Sequence, residues 1–178
     1  MTSHDVSRAQ LRASGERLRE RLGLPPDLHQ DVAPGFSGMY DELVFGALWS
    51  RPGLELRERM IAVLSSLAAL ERTDMLCAYA RAALTCGVSA TGVREIAIQA
   101  GLYTGFVAAE KNLTALNVVL GMPVAGDPEA AGPPADADLL RPGIELMEDM
   151  HGGRARTGYA SGSGAPAALY DLAIRYGY

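Results

Sequence analysis

The sequence predicts an all-α protein folded as an antiparallel helical bundle. Three observations carry that prediction. Apolar residues recur at helical spacing over most of the chain, strict strand-like alternation is absent, and the periodic segments are joined by short links holding helix-breaking or capping residues. The 178 residues are 48% hydrophobic and 21% charged, which fits one compact domain or a domain with an appendage and excludes disorder as the dominant state. A chain of this size buries about two-thirds of the surface its unfolded form exposes, so the fold requires neither metal nor disulfide.

The first helix is expected from Arg8 to Leu22. It is mostly charged, with Leu11, Leu18 and Leu22 as a thin apolar stripe, which places it on the surface or against a partner, and Gly23, Pro25 and Pro26 stop it. The second, from Gly35 to Trp49, carries Met39, Leu43, Phe45 and Trp49 and ends at the Ser50-Arg51-Pro52-Gly53 turn. The third, from Leu56 to Leu70, is the most hydrophobic and should form the centre of the core. Glu71 to Thr73 make a tight connection, with Thr73 as the expected cap of a helix from Asp74 to Thr85 that Gly87 closes in a left-handed conformation. Ser89 caps the next, from Ala90 to Thr104, and Gly105 separates it from one spanning Phe106 to Leu120, in which Glu110, Lys111, Asn112 and Thr114 read as a solvated edge.

Three regions follow from composition: a helical domain over 1–120, a Pro-, Gly-, Ala- and Asp-rich linker over 121–138, and a C-terminal helical extension over 139–178. The extension resembles the first two helices. Tyr40-Asp41 matches Tyr170-Asp171, Phe45-Gly46 matches Tyr176-Gly177 with one residue of slippage, and a Gly-bearing helix lies upstream in both copies, here Leu140 to His151. Such a half-repeat cannot bury its apolar face alone, so Leu146, Met147, Met150, Leu169, Leu172 and Ile174 need a surface on this chain or on a neighbouring subunit.

Sixteen basic against twenty-one acidic side chains give a formal charge of -5 with no dense Lys/Arg cluster, which argues against nucleic acid as a partner. The longest apolar run, Met60 to Leu70, is far short of the roughly 20 residues a membrane span needs, and the polar start lacks a signal-peptide core, so a cytoplasmic location away from membranes is expected. The histidines, His4, His29 and His151, have no spacing that would make a metal site.

Between Tyr40 and Leu120 the chain resembles the carboxymuconolactone decarboxylase family, relatives of the alkyl hydroperoxidase D proteins. Four stretches carry the likeness: Phe45-Gly46-Ala47-Leu48-Trp49-Ser50-Arg51-Pro52-Gly53-Leu54, Leu64-Ser65-Ser66-Leu67-Ala68-Ala69-Leu70-Glu71-Arg72-Thr73, Ala82-Ala83-Leu84-Thr85-Cys86-Gly87-Val88, and Leu102-Tyr103-Thr104-Gly105-Phe106. The resemblance implies an all-α subunit of alkyl hydroperoxidase D-like type. It also implies assembly into homo-oligomers, trimers or hexamers, and either decarboxylation of a lactone acid or thiol-based peroxide reduction.

The thiol route needs a close cysteine pair, a histidine one turn on and a carboxylate. The family pattern places those groups at Arg72 and Met75, at Tyr79 and at Met60, none of the required type. Cys77 and Cys86, nine apart, read as small buried side chains, and no peroxidase is expected. The decarboxylase branch commonly has a His where Tyr79 stands and a Pro where Val107 stands. A tyrosine, with an ordinary pKa near 10, is a poor base at neutral pH but can hydrogen-bond an anionic oxygen or protonate an enolate.

The expected function is therefore a cofactor-independent lyase, cyclase or isomerase acting by proton transfer on a small organic acid, lactone or enol. Arg72 would hold the anion and Tyr79 deliver the proton, with Trp49, Met60, Met75 and Tyr103 lining an apolar pocket. Simpler readings stand beside these: Arg72 as an exposed ion pair with Glu71 or Asp74, Tyr79 as a core aromatic, Tyr103 as structural. The alternative function is a non-catalytic subunit that binds a ligand or completes an oligomer.

Overall fold

Ser7 nucleates helix α1 (Arg8–Arg21) by a reciprocal cap, its hydroxyl accepting from the Gln10 N–H while the Gln10 side chain accepts from the Ser7 N–H. The helix ends at Gly23 (φ 69°), where Gly23 and Leu24 donate back to the Glu20 and Arg19 carbonyls in a left-handed closing turn. These features come from a computed structural model that describes residues 6–26, 28, 32–123 and 139–152. The chain divides into two compact units, Met1–Ala130 and Ala131–Tyr178. Among the described residues there is no strand, and no helix is long and apolar enough to cross a membrane.

The single helix expected over Gly35–Trp49 is instead a short α-helix, α2 (Phe36–Tyr40), that widens into a π-helical segment, Asp41–Leu48. The widening accompanies a close crossing with α1. A Cβ on Gly15 would fall on the Asp41 carbonyl and 2.8 Å from the Gly46 nitrogen, and one on Gly46 would fall on the Leu11 carbonyl. Two ion pairs flank the crossing. Arg19 Nε donates to Asp41 at 2.8 Å with both partners largely buried, and Arg8 donates twice to Glu42, at 2.7 and 3.2 Å. Phe45 and Trp49 turn into the core, whereas Met39 and Leu43 remain exposed.

Four helices form the rest of the first unit: α3 (Leu56–Ala69), α4 (Thr73–Thr85), α5 (Ala90–Thr104) and α6 (Phe106–Leu120). α3 is central, packing on α4, α5 and α6 and burying Met60, Leu64 and Ala68 at every fourth position. Leu22, Leu24, Phe45 and Trp49 join this core from the α1 and π layers. The α3–α4 turn closes as α1 does, with Glu71 and Arg72 donating to the Ala68 and Leu67 carbonyls, but Glu71 (φ 52°) holds the left-handed position that glycine usually fills. Gly87 (φ 78°) ends α4 in the same way.

Thr73 does not cap α4. Arg72 occupies the cap position with no side-chain bond, and the Thr73 hydroxyl donates instead to Asn112 Oδ1 at 3.1 Å. Asn112, expected at a solvated edge, is buried, and its amide also donates to the Ala68 carbonyl at 3.0 Å. It therefore ties the end of α3 and the start of α4 to α6, which an apolar residue there would leave with unpaired polar groups.

In the second unit, α7 (Leu140–His151) buries Gly143 and Met147, four apart, while Leu146 and Met150 are exposed. Tyr170-Asp171, Tyr176-Gly177, Leu169, Leu172, Ile174, His4 and His29, and the linker beyond Pro123, lie outside the described residues.

Candidate functional site

Helix α4 buries Leu76, Tyr79, Ala80 and Ala83 on one face, so the Tyr79 ring enters the core and is only 3% exposed. It meets a series of aromatic rings from α2 and the π segment. Tyr40 lies 5.9 Å from Phe45, Phe45 is edge-on to Trp49 at 5.5 Å, and Trp49 is tilted by 48° to Tyr79 at 6.3 Å, all between centroids. The Tyr79 phenol shares a hydrogen bond with Tyr40. Burial first, then the nearby Tyr40 phenol and that bond, push the Tyr79 pKa well above the usual tyrosine range. The phenol therefore keeps its proton: it can donate a hydrogen bond, it is a weaker acid than an ordinary tyrosine, and it is no base.

Two clefts open on this unit. One, of about 420 Å³, lies between α1 and the end of the π segment, lined by Leu18, Leu56, Arg17, Arg21 and the edge of Trp49, with the fully buried Phe45 behind. The other, of about 600 Å³, runs between α3 and α5 and is walled by Ile61, Ala69, Ile96 and Ala100, with Glu95 and Tyr103 among its polar members. The second is poorly suited to an organic anion. Glu95 is its only charged residue, and the hydroxyl of Ser65 on its wall already donates to the Ile61 carbonyl. The first has two cations, and Trp49, 7% exposed, separates it from Tyr79.

The residues singled out from sequence do not gather in one cavity. Trp49 lines the α1 cleft and Tyr103, 82% exposed, lines the α3–α5 cleft. Met60 is fully buried and Met75 half-buried in the core, and both, like Tyr79, lie outside the linings of these two clefts. Arg72 is exposed at the start of α4, two helical turns before Tyr79, and also lines neither cleft. Among the described residues its guanidinium has no ion pair, because Glu71 instead accepts from Lys111 at 3.4 Å.

Cys77 and Cys86 are free thiols, half-buried where full burial was expected. Burial raises the Cys77 pKa, opposite to the shift a reactive thiolate needs. Among the described residues no cluster of His, Cys, Asp and Glu could hold a metal.

Arg17 and Arg21 are the cleft residues that sequence reasoning missed. Their signal was present as two arginines at i, i+4 on the first helix, but they were masked by that helix's general richness in charge.

Comparison with known proteins bears on the same region. Residues 34–117 match the model of the carboxymuconolactone decarboxylase family. A 4-carboxymuconolactone decarboxylase of Acinetobacter baylyi (strain ATCC 33305 / BD413 / ADP1) is 33% identical over 82 residues, which cover 46% of this chain and 58% of that relative. The chain thus spans little more than half the length of the relative. The matched segment begins just before α2, takes in the aromatic series and Tyr79, and ends within α6, so the likeness to the carboxymuconolactone decarboxylase family lies in the part of the chain that carries the candidate site.

Proposed function

We propose that the chain is a lyase- or isomerase-type enzyme that takes a small organic acid, lactone or enol against Trp49 and uses Tyr79 as its proton source, without a cofactor. The observation that carries this reading is the buried, proton-retaining Tyr79 phenol set one ring behind the indole that lines the α1 cleft. In a decarboxylation, the bond between the carboxylate carbon and its neighbour breaks and carbon dioxide leaves. The electron pair passes onto a conjugated carbonyl as an enolate, and the Tyr79 O–H bond breaks as its proton goes to carbon. The resulting phenolate is costly in the core; it takes the proton of Tyr40, its half-buried hydrogen-bond partner, and Tyr40 regains one from water. Delivery requires the indole to turn aside when ligand binds. Arg72, exposed and among the described residues without an ion pair, lines neither cleft, and in this reading it attracts the acid from solvent without holding it in the cleft.

The test is release of carbon dioxide from 4-carboxymuconolactone and a panel of related lactone acids and β-keto acids, with isomerisation followed on the enol members. Turnover of one of them that is lost in Tyr79→Phe supports the reading. Silence on the whole panel, or turnover indifferent to Tyr79→Phe, overturns it.

One observation favours a second reading, a non-catalytic ligand-binding subunit. The polar groups lining the α1 cleft include two guanidiniums and two serine hydroxyls, with no carboxylate or imidazole among them. Ligand binding with no turnover would select it. A homo-oligomer remains part of the proposal in either case. The exposed Tyr103, Phe106 and Val107 at the α5–α6 turn are the apolar surface it would cover, and light scattering reads its mass.

A further inference from the structure

We propose that Arg17 and Arg21 are the anion-binding arm of the Trp49 cleft, and that its ligand is a small carboxylic acid with a flat, unsaturated body. The inference deepens the proposed function, on which it rests for the place where substrate sits. It moves the anion from Arg72 on α4 to a helix that precedes the family-matched residues.

Helix α1 carries five arginines, and the structure divides them. Arg8 is paired with Glu42, Arg12 with Glu16 and Arg19 with Asp41. Among the described residues, Arg17 and Arg21 have no carboxylate partner, and these two line the cleft. Four residues apart, they share one face of the helix, where like charges repel and destabilise it slightly. A carboxylate between them removes that repulsion and offers each guanidinium an acceptor for its planar fork of donors.

The rest of the cleft describes the ligand's body. Trp49, 7% exposed, gives the cleft an aromatic edge with the fully buried Phe45 behind it, and the half-buried Leu18 and Leu56 add aliphatic wall. The Ser50 hydroxyl donates to the Gly46 carbonyl at 2.5 Å, so towards a ligand it can only accept. The volume of about 420 Å³ suits a compact molecule.

Trp49 is the only tryptophan in the sequence, so its emission reports on this cleft directly. The experiment titrates the full chain with benzoate and, separately, with its uncharged analogue benzamide. It then repeats the benzoate titration, with calorimetry alongside, on Arg17→Gln/Arg21→Gln and on Arg72→Gln. The expected result is a saturable change in emission with benzoate and none with benzamide. Affinity should fall at least about tenfold in the double variant and change less than about twofold in Arg72→Gln. Both arginines of the double variant are exposed, and circular dichroism confirms that it folds.

The inference is overturned if benzoate gives no saturable response, if benzamide binds as well, or if the double variant binds as tightly as the parent. Loss in Arg72→Gln alone returns the anion to α4. Because binding is read without turnover, benzoate affinity retained in Tyr79→Phe alongside a failed decarboxylation assay would sink the proposed function and leave this inference standing.

Discussion

Gly15 of α1 and Gly46 of the π segment meet backbone to backbone. A Cβ on Gly15 would lie 2.8 Å from the Gly46 nitrogen, and one on Gly46 would collide with the Leu11 carbonyl. The contact holds α1, with Arg17 and Arg21, against the segment that precedes Trp49, and it leaves no room for a side chain at either glycine. Gly46→Ala must separate backbone from backbone. It is expected to cost about 1–3 kcal/mol, towards the upper end because neither carbonyl can rotate away. A lowered Tm and altered Trp49 emission check this, and an unchanged Tm would show that α1 sits elsewhere.

Asn112 holds the α3–α4 turn through one donated and one accepted hydrogen bond. In Asn112→Asp, a buried carboxylate facing the Ala68 carbonyl would resist ionisation, raising its folded pKa above the unfolded value of about 3.9. The sign follows from linkage. The unfolded chain ionises first as pH rises, so the variant's stability is greatest below about pH 4 and declines above it. Urea melts of variant and parent at pH 4, 6 and 8 should show their gap widening with pH, and a gap independent of pH would contradict the burial of Asn112.

Glu71 has a left-handed backbone, which costs an L-residue roughly 1 kcal/mol or more, and its ion pair with Lys111 is exposed and weak. Glu71→Gly relieves the strain but adds freedom to the unfolded chain. The net expectation is a stability equal to the parent or higher by up to about 1 kcal/mol, measured by thermal melting. A marked loss would mean that the carboxylate does more than the turn requires.

The helices themselves were legible because their signals are local. The 3.6-residue pattern with Ser89, Gly87 and Gly23 marks most of the boundaries, and the cap at Ser7 lies one residue before the expected start of α1. What escaped is set by partners distant in sequence. Nothing between Gly35 and Trp49 announces a π-helical turn, since it accompanies a crossing with Gly15, twenty-six residues before Asp41. Thr73 has the right type for a cap, yet its hydroxyl is drawn to Asn112 on another helix. Likewise, the position of Tyr79 in a family pattern indicates a site residue, but only the folded structure shows its ring buried against Trp49. Charge on α1 looks uniform in the sequence, and the division among the described residues into paired and unpaired arginines depends on where Asp41 and Glu42 lie.

The raised pKa of Tyr79 also fixes a pH dependence. The unfolded chain loses this phenolic proton near pH 10 while the folded chain keeps it, so stability from this group is complete below about pH 10 and falls as pH rises further. Over the same lower range no alkaline limb of the rate profile can come from Tyr79. The most direct measurement combines Trp49-detected benzoate binding with turnover of a lactone acid, in the parent and in Tyr79→Phe. The account predicts binding within about twofold of the parent and turnover lower by at least about a hundredfold. Turnover at the parental rate, or ligand binding lost together with turnover, would contradict it.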